Sequence, residues 1–139
     1  MNKALIDTDT YSEVLKAINP AVAKNAGSYR RQHGVLSLSA ITLMEIVYGF
    51  QRVRNIRRLQ EFLAGVALEE VLTFERKAAE LAGRIAGDLD RTGQTIGKAD
   101  PMIAAVALEH GLELVTGNTA HYQRIQQLGY PLTLVNWRV

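Results

Sequence analysis

The sequence opens with Lys3-Ala4-Leu5-Ile6-Asp7-Thr8-Asp9, a short apolar run that stops at small acidic and hydroxyl residues. Short β-prone runs bounded by turn-forming residues are typical of strands buried on both faces. Asp7 would then stand at the carboxyl end of a strand, where open parallel α/β sheets bind their ligands. The alternative is that Asp9 or Thr10 caps the following helix while Asp7 lies in the turn. This run alone leaves both interpretations open.

The bulk composition bounds the class of protein. The chain has 139 residues and no cysteine, so we expect one domain, residues 1–139, with a hydrophobic core and without disulfides or zinc-thiolate sites. We also expect no signal peptide and no membrane span, because no apolar run approaches about 18 residues, and hence a cytoplasmic protein. A net charge of +2 and a pI near 9.0 permit contact with nucleic acid.

Apolar spacing predicts an alternation of strands and helices along the whole chain. After the first strand, the expected strands are 35–39, a short one near 66–72, 112–116 and 132–135. The expected helices begin near residues 10, 21, 40, 56, 74, 101 and 119. Such alternation favours an α/β fold with a parallel sheet covered on both faces.

The helix predicted over 40–51 carries a single charged residue, Glu45. Its surface is apolar nearly all round, so we expect the helix to be largely buried. A buried glutamate needs a basic partner, a proton or a metal. The alternative is a glutamate at the helix edge that reaches solvent or pairs with an arginine.

Asp100 precedes Pro101 at the start of an alanine-rich helix, which is an ordinary N-cap signal. A capping role and a ligand role are compatible, since one carboxylate oxygen can accept a backbone N–H while the other faces a ligand. The preceding segment, 93–99, is similar to a phosphate-binding P-loop only superficially. Its glycine spacing is one residue short, Ala99 replaces the required Ser or Thr, and a helix precedes it rather than a strand.

The expected topology brings several polar side chains to one edge of the sheet. Asp7 and Asn118 follow strands there, and the helices that carry Glu45 and Asp100 can face the same edge. Three carboxylates, with no cysteine and no histidine pair at ligand spacing, suit a hard cation such as Mg²⁺ or Mn²⁺. Clustered carboxylates also repel one another unless a cation neutralises them.

The densest basic run, Arg52-Val53-Arg54-Asn55-Ile56-Arg57-Arg58, opens the next helix. It is either a solvated helix face or a rim that contacts phosphates. The sequence does not separate these two roles.

Four segments taken together resemble the successive motifs of PIN-domain proteins, most closely the VapC toxins of bacterial toxin–antitoxin pairs. Each motif is weak alone, but four in this order and spacing are specific. They are Leu5-Ile6-Asp7-Thr8, Ser39-Ala40-Ile41-Thr42-Leu43-Met44-Glu45-Ile46-Val47-Tyr48-Gly49, Ile96-Gly97-Lys98-Ala99-Asp100 with Ile103-Ala104-Ala105, and Leu114-Val115-Thr116-Gly117-Asn118.

The resemblance implies a three-layer α/β/α sandwich with a central, mainly parallel sheet. It also implies a Mg²⁺-dependent endoribonuclease that forms a homodimer and is silenced by a small VapB-type antitoxin. The metal-site carboxylates of the family carry over to Asp7, Glu45 and Asp100. A cation held by Asp7 and Asp100, with Glu45 bound directly or through water, would activate a water and neutralise charge on the scissile phosphate.

The resemblance also assigns supporting roles. Thr8, Thr116 and Asn118 would orient water or the carboxylates. Asp9 stands where the family more commonly has asparagine. His121 falls where the family often has a fourth acidic residue, which leaves the number of metal ions, one or two, undetermined. His121 either points into the crevice or lies on the exposed side of its helix.

Three other functions are compatible with these residues. One is a PIN-domain nuclease of RNA maturation, with the same fold and site. Another is a non-enzymatic module that binds RNA or a partner, against which the complete carboxylate set argues. The third is a small metabolic hydrolase, against which the basic balance and the missing cofactor motif argue. The RNA target, the position of the cut and the antitoxin are not determined by the sequence.

Overall fold

The computed structural model describes every residue from Met1 to Val139, and strands alternate with helices throughout. The five short strands are β1 (Ala4–Ile6), β2 (Ser37–Ser39), β3 (Glu70–Leu72), β4 (Glu113–Val115) and β5 (Leu134–Val135). The seven helices are α1 (Thr8–Lys16), α2 (Pro20–His33), α3 (Ala40–Arg52), α4 (Ile56–Val66), α5 (Arg76–Arg91), α6 (Ala99–Glu109) and α7 (Thr119–Gln127).

All the strand ladders are parallel. β1 pairs with β4, β4 pairs with β5, and β2 pairs with β3, while β1 also lies beside β2. The ladders form a three-stranded sheet, β1-β4-β5, and a two-stranded sheet, β2-β3, and the contact of β1 with β2 sets the two side by side with the first strand of the chain in the middle. This confirms the predicted parallel arrangement and places the residue after β1 at the centre of the carboxyl edge.

Alternation along β1 divides the core in two. Leu5 packs into a cluster formed with α5, α6 and α7, whereas Ala4 and Ile6 face a cluster formed with α1 to α4. Helices therefore cover both faces of the sheet, and the three-layer α/β/α architecture is confirmed. Complete burial of side chains such as Leu5 and Ile6 contributes about 1.5–3 kcal/mol each.

The carboxyl ends of β1 and β2 pass directly into helices through polar caps. Asp7 has extended backbone angles, and its Oδ1 accepts the Thr10 amide at 2.8 Å. Ser39 plays the predicted part for α3, where its Oγ accepts the Thr42 amide at 3.1 Å. A cap at Asp9 or Thr10 is therefore wrong, because α1 begins earlier, at Thr8. Asp7 both ends the strand and caps the helix.

Three other expectations from the sequence are corrected. α3 is not buried all round: Met44 is 55% and Tyr48 is 62% exposed, because only the stripe with Thr42 and Ile46 faces the interior. The second strand is shorter than 35–39 and covers Ser37–Ser39. Asp100 is not an N-cap, because α6 begins one residue earlier and Asp100 lies in its first turn.

None of the helices combines the length and the apolar character needed to cross a lipid bilayer.

Candidate active site

Asp7 is the most buried of the predicted site carboxylates. Its residue is only 2% exposed, and its two oxygens accept the Thr10 amide at 2.8 Å and the Thr116 hydroxyl at 2.5 Å. Burial raises the pKa of Asp7, and the hydrogen bonds from Thr116 and Thr10 oppose that rise. Both of these hydrogen-bond donors are uncharged. The structure thus buries a carboxylate that is held firmly but has no counter-charge hydrogen-bonded to it.

Glu45 lies in the second turn of α3 and is half-buried. Its Oε1 accepts the Thr8 hydroxyl at 2.6 Å, and that hydroxyl is also 3.0 Å from the Thr42 hydroxyl. The partner that Glu45 needs is therefore a hydroxyl from the start of α1, not an arginine. The hydroxyls of α1 and α3 turn this glutamate toward the end of β1.

Asp100 lies inside the first turn of α6, and neither of its carboxylate oxygens caps the helix. Oδ1 accepts the Tyr122 hydroxyl at 3.1 Å, and Oδ2 lies 3.2 Å from Nδ1 of His121. Both partners belong to α7, so α6 and α7 meet at this carboxylate. The His121 side chain is half-exposed, and its Nδ1 faces Asp100.

The turn between β4 and α7 holds Asp7 in place. The Thr116 hydroxyl donates to Asp7 and accepts the Asn118 backbone amide at 2.9 Å. The Asn118 side-chain amide donates to Asp9 at 2.6 Å. Thr116 and Asn118 therefore link the end of strand β4 to the start of α1, and their expected role in supporting a metal site stays a prediction.

The comparisons with known proteins identify the family. The PIN domain profile matches residues 4–126 of the chain. The tRNA(fMet)-specific endonuclease VapC of Shigella flexneri is 31% identical over 129 residues, which cover 90% of this chain and 93% of that protein. This chain belongs to the VapC ribonucleases of the PIN-domain family.

Two further VapC relatives agree with that identification. Ribonuclease VapC2 of Haemophilus influenzae is 30% identical, over 90% of this chain and 93% of that protein. The chain also superposes on a crystal structure of DNA-bound VapBC from Salmonella typhimurium with a TM-score of 0.81 and 29% identity, covering 99% of both chains. Membership of the VapC ribonucleases makes the chain a hydrolase of RNA and confirms the function predicted from its four motifs.

Tyr122 is a member of this PIN-domain site that sequence reasoning missed. Its side chain is fully buried, and its pKa is raised first by burial and then by the charges of Asp100, Asp7 and Glu45. Of the three carboxylates, only Asp100 accepts a hydrogen bond from the Tyr122 hydroxyl, at 3.1 Å, while Asp7 and Glu45 act on it through their charge. The sequence offered no signal for this role, because Tyr122 and Ile125 together form an ordinary apolar stripe of α7.

The donor set suits a hard cation, although the side chains are not gathered around one point. No three histidine, aspartate or glutamate side chains lie close enough to hold a single ion together. Mg²⁺ keeps several waters in proteins and binds through one or two carboxylates, so a preformed cage is not required. A buried Asp7 whose hydrogen-bond donors are both uncharged, together with an all-oxygen donor set, fits a divalent cation of this type.

Proposed function

We propose that this PIN-domain ribonuclease cleaves RNA by metal-assisted hydrolysis, with Mg²⁺ or Mn²⁺ held by Asp7, Asp100 and Glu45. Membership of the VapC ribonucleases supports the proposal, together with an Asp7 carboxylate that is buried and hydrogen-bonded only by neutral donors. Asp7 follows β1 at the carboxyl edge of the sheet, where open parallel sheets bind their ligands, and Asp100 and Glu45 lie at the start of α6 and in the second turn of α3.

A bound cation would supply an activated water and would offset the charge that develops on the scissile phosphate. The residues of the chain prepare the site for it. Asp7 and Asp100 offer carboxylate oxygens, and Glu45 binds directly or through water. Thr116 fixes the rotation of Asp7, and Thr8 fixes that of Glu45. The His121 ring contacts Asp100, and its role in cleavage stays a prediction.

We further propose that a VapB-type antitoxin silences the enzyme, since the Salmonella neighbour is a VapBC complex. A groove of about 340 Å³ starts at Thr8 and Glu45 and continues over Leu15, Ile46 and Phe50. It suits an apolar peptide that ends in a basic side chain near Glu45. A charge-assisted hydrogen bond in such a water-poor place is strong.

The exposed face of α3 supports the proposed homodimer. Leu43, Met44, Val47 and Tyr48 line one apolar patch on this helix. Contiguous exposed apolar patches mark interaction surfaces. We therefore expect Tyr48→Glu to convert a dimer into a monomer in light-scattering measurements, while the matched change of an exposed residue outside the patch, Leu68→Glu, leaves the dimer intact.

The basic run Arg52–Arg58 is exposed throughout, which suits contact with the RNA backbone. Within it Arg57 is paired with Glu61 at 3.2 Å, whereas Arg58 lines the groove that starts at Glu45. We propose that Arg58 contacts a phosphate of the substrate. An RNA substrate in turn supports a cytoplasmic place of action.

The decisive experiment combines cleavage and toxicity. Purified protein is incubated with tRNA(fMet), the substrate named for the Shigella relative, with Mg²⁺, with Mn²⁺ or with EDTA. We expect cleavage that needs the cation and that is lost in Asp100→Asn. The matched control is Asp90→Asn, which changes an exposed aspartate at the far end of α5. Expression alone should arrest growth, and co-expression of the neighbouring antitoxin should restore it.

Cleavage that persists in EDTA would overturn the metal-dependent mechanism. Equal cleavage by Asp100→Asn and wild type, with contaminating nuclease excluded, would overturn the site.

A further inference from the structure

Arg138 lies in the segment after β5, which returns to the carboxyl edge of the sheet. This segment is anchored by its neighbours. Trp137 is buried, and its carbonyl accepts the Asn25 side-chain amide at 3.0 Å. The Arg138 backbone amide donates to the Asn136 side chain at 2.9 Å. The backbone of Arg138 is thus fixed, and its half-buried side chain has a defined starting point.

The guanidinium of Arg138 is held between α1 and the β4–α7 turn. Its Nε donates to Oε1 of Glu13 at 2.5 Å, and its Nη2 pairs with the same oxygen. Its Nη1 lies directly against Gly117, so that a Cβ on Gly117 would overlap the guanidinium. Gly117 does not have a left-handed backbone conformation. A side chain at position 117 would therefore conflict with Arg138 and not with the turn itself, and Arg138 could give way only by leaving Glu13.

Gly117 separates the two residues that orient the acidic side chains. Thr116 on one side donates to Asp7, and Asn118 on the other side donates to Asp9. The pKa of Arg138 is raised chiefly by its hydrogen bond to Glu13, and the charges of Asp7 and Asp9 add to the rise. The guanidinium is therefore within electrostatic reach of Asp7 and Asp9, and it packs on the residue between Thr116 and Asn118.

We propose that Arg138 is a positioning residue of the ribonuclease site: braced by Glu13, it packs on Gly117 and keeps Thr116 and Asn118 aligned with Asp7 and Asp9. The inference rests on the proposed function, because it takes Asp7 to be a ligand of the metal. Arg138 lies outside the four family motifs, and Glu13 holds its guanidinium in place.

A double-mutant cycle on Gly117 and Arg138 tests the contact. The protein is prepared as wild type, Gly117→Ala, Arg138→Ala and the double variant, and Mn²⁺ affinity is measured without RNA by electron paramagnetic resonance. We expect Gly117→Ala to weaken Mn²⁺ binding by about tenfold, the size seen when the support of a ligand is disturbed. In the Arg138→Ala background the same change should cost less than about twofold, because the obstructing guanidinium is gone.

Cleavage kinetics and a matched glycine complete the test. Gly117→Ala and Arg138→Ala should each lower kcat with little change in KM, since the RNA-binding surface is untouched. Arg138→Lys should recover part of the loss because it keeps the charge beside Glu13. The control is Gly87→Ala in α5, where an added Cβ meets no atom within 4 Å and where neither Mn²⁺ affinity nor kcat should change.

Additive effects of the two substitutions on Mn²⁺ affinity would overturn the inference, as would wild-type affinity and kcat in Arg138→Ala. If the wild type cleaves RNA and the cycle is additive, only the role of Arg138 fails. If the cycle shows coupling in Mn²⁺ affinity but the wild type cleaves no RNA, only the proposed function fails.

Discussion

The chain buries two acidic side chains in opposite electrostatic settings. Glu69 has a side chain that is 3% exposed, and both of its oxygens accept from the Arg30 guanidinium, at 2.7 and 2.8 Å. The Leu36 amide and the Tyr11 hydroxyl also donate to Glu69. Asp7 is equally buried, yet its two oxygens receive only an amide and a hydroxyl.

The difference shows that burial of a carboxylate does not by itself mark a functional site. A buried charge with a bidentate arginine and further donors is satisfied within the fold. A buried charge without a cation is costly, and a protein keeps one where a cation binds from outside. By this comparison Glu69 is compensated within the fold, whereas the neutral donors around Asp7 support the proposal that it binds a cation.

The largest expected effect separates the two acids by activity. Asp7→Asn should lower RNA cleavage by about 100-fold or more, because a ligand of the metal is lost while the amide side chain can still cap α1. Glu69→Gln should leave the cleavage rate of the folded protein unchanged. Both rates are measured with Mg²⁺ at equal concentrations of folded protein. A comparable loss in both variants would remove the distinction between the sites.

The next largest effect is on stability, where Glu69 should matter more than an exposed acid. Glu69→Gln should lower the free energy of unfolding by about 1–3 kcal/mol, because Arg30 loses its charged partner and one of its two oxygen acceptors. The loss stays moderate because the Arg30 side chain is 43% exposed. Urea unfolding with circular dichroism measures the change, and Glu61→Gln, which alters an exposed i,i+4 pair on α4, is the control with a change near zero.

A smaller effect is expected from Asp7 in the absence of metal. Burial raises the pKa of Asp7 in the folded state, so the folded protein binds this proton more tightly than the unfolded chain. The protonation of Asp7 therefore contributes most to the free energy of unfolding at low pH. That contribution is lost as the pH rises from the ordinary pKa of 3.8 through the raised pKa of the folded state.

Asp7→Asn removes that titration. In EDTA the variant should therefore melt above wild type at pH 7, and the gap should close toward pH 4. Melting curves at matched pH values measure this. A wild type that melts above Asp7→Asn at pH 7 in EDTA would mean that the fold already compensates the charge of Asp7.

The smallest effect concerns the phenol beside Glu69. Burial raises the pKa of Tyr11 to about 12, and the charge and hydrogen bond of Glu69 add to this rise. The unfolded chain releases that proton near the ordinary value of 10.0, so the stability contributed by Tyr11 is complete below pH 10 and is lost as pH rises toward 12. Tyr11→Phe should therefore flatten the loss of stability between these pH values. An identical alkaline profile in wild type and variant would contradict the assignment.

Much of this architecture follows from local patterns. The apolar run at residues 4–6, the Ser39 cap and the stripe of α5 are short-range signals, and the predicted elements and the parallel sheet are confirmed. The expectation that failed for α3 depended on what lies against the helix. A helix that is apolar nearly all round is buried only if something covers each side, and Met44 and Tyr48 stay exposed on this chain.

In the candidate site, too, the sequence predicts the residue types, and tertiary packing decides which residues they contact. The sequence named Asp7, Glu45 and Asp100 because acidic residues at strand ends and helix starts have a chemistry that can be read one residue at a time. That Asp100 faces α7 instead of capping α6 depends on where the helix begins. That the Tyr122 hydroxyl bonds Asp100 depends on the packing of α7 against α6, which no spacing rule contains.

The sequence by itself therefore determined the family and the α/β architecture, because these are recorded in local pattern and residue type, and it nominated Asp7, Glu45 and Asp100 as the acids of the site. Only the tertiary structure decided which buried acid has a counter-charge. Arg30 lies 39 residues from Glu69, and Arg138 lies 125 residues from Glu13. Pairings over such separations are set by the order of the strands and the packing of the helices, since the energy of a charge depends on what surrounds it in space.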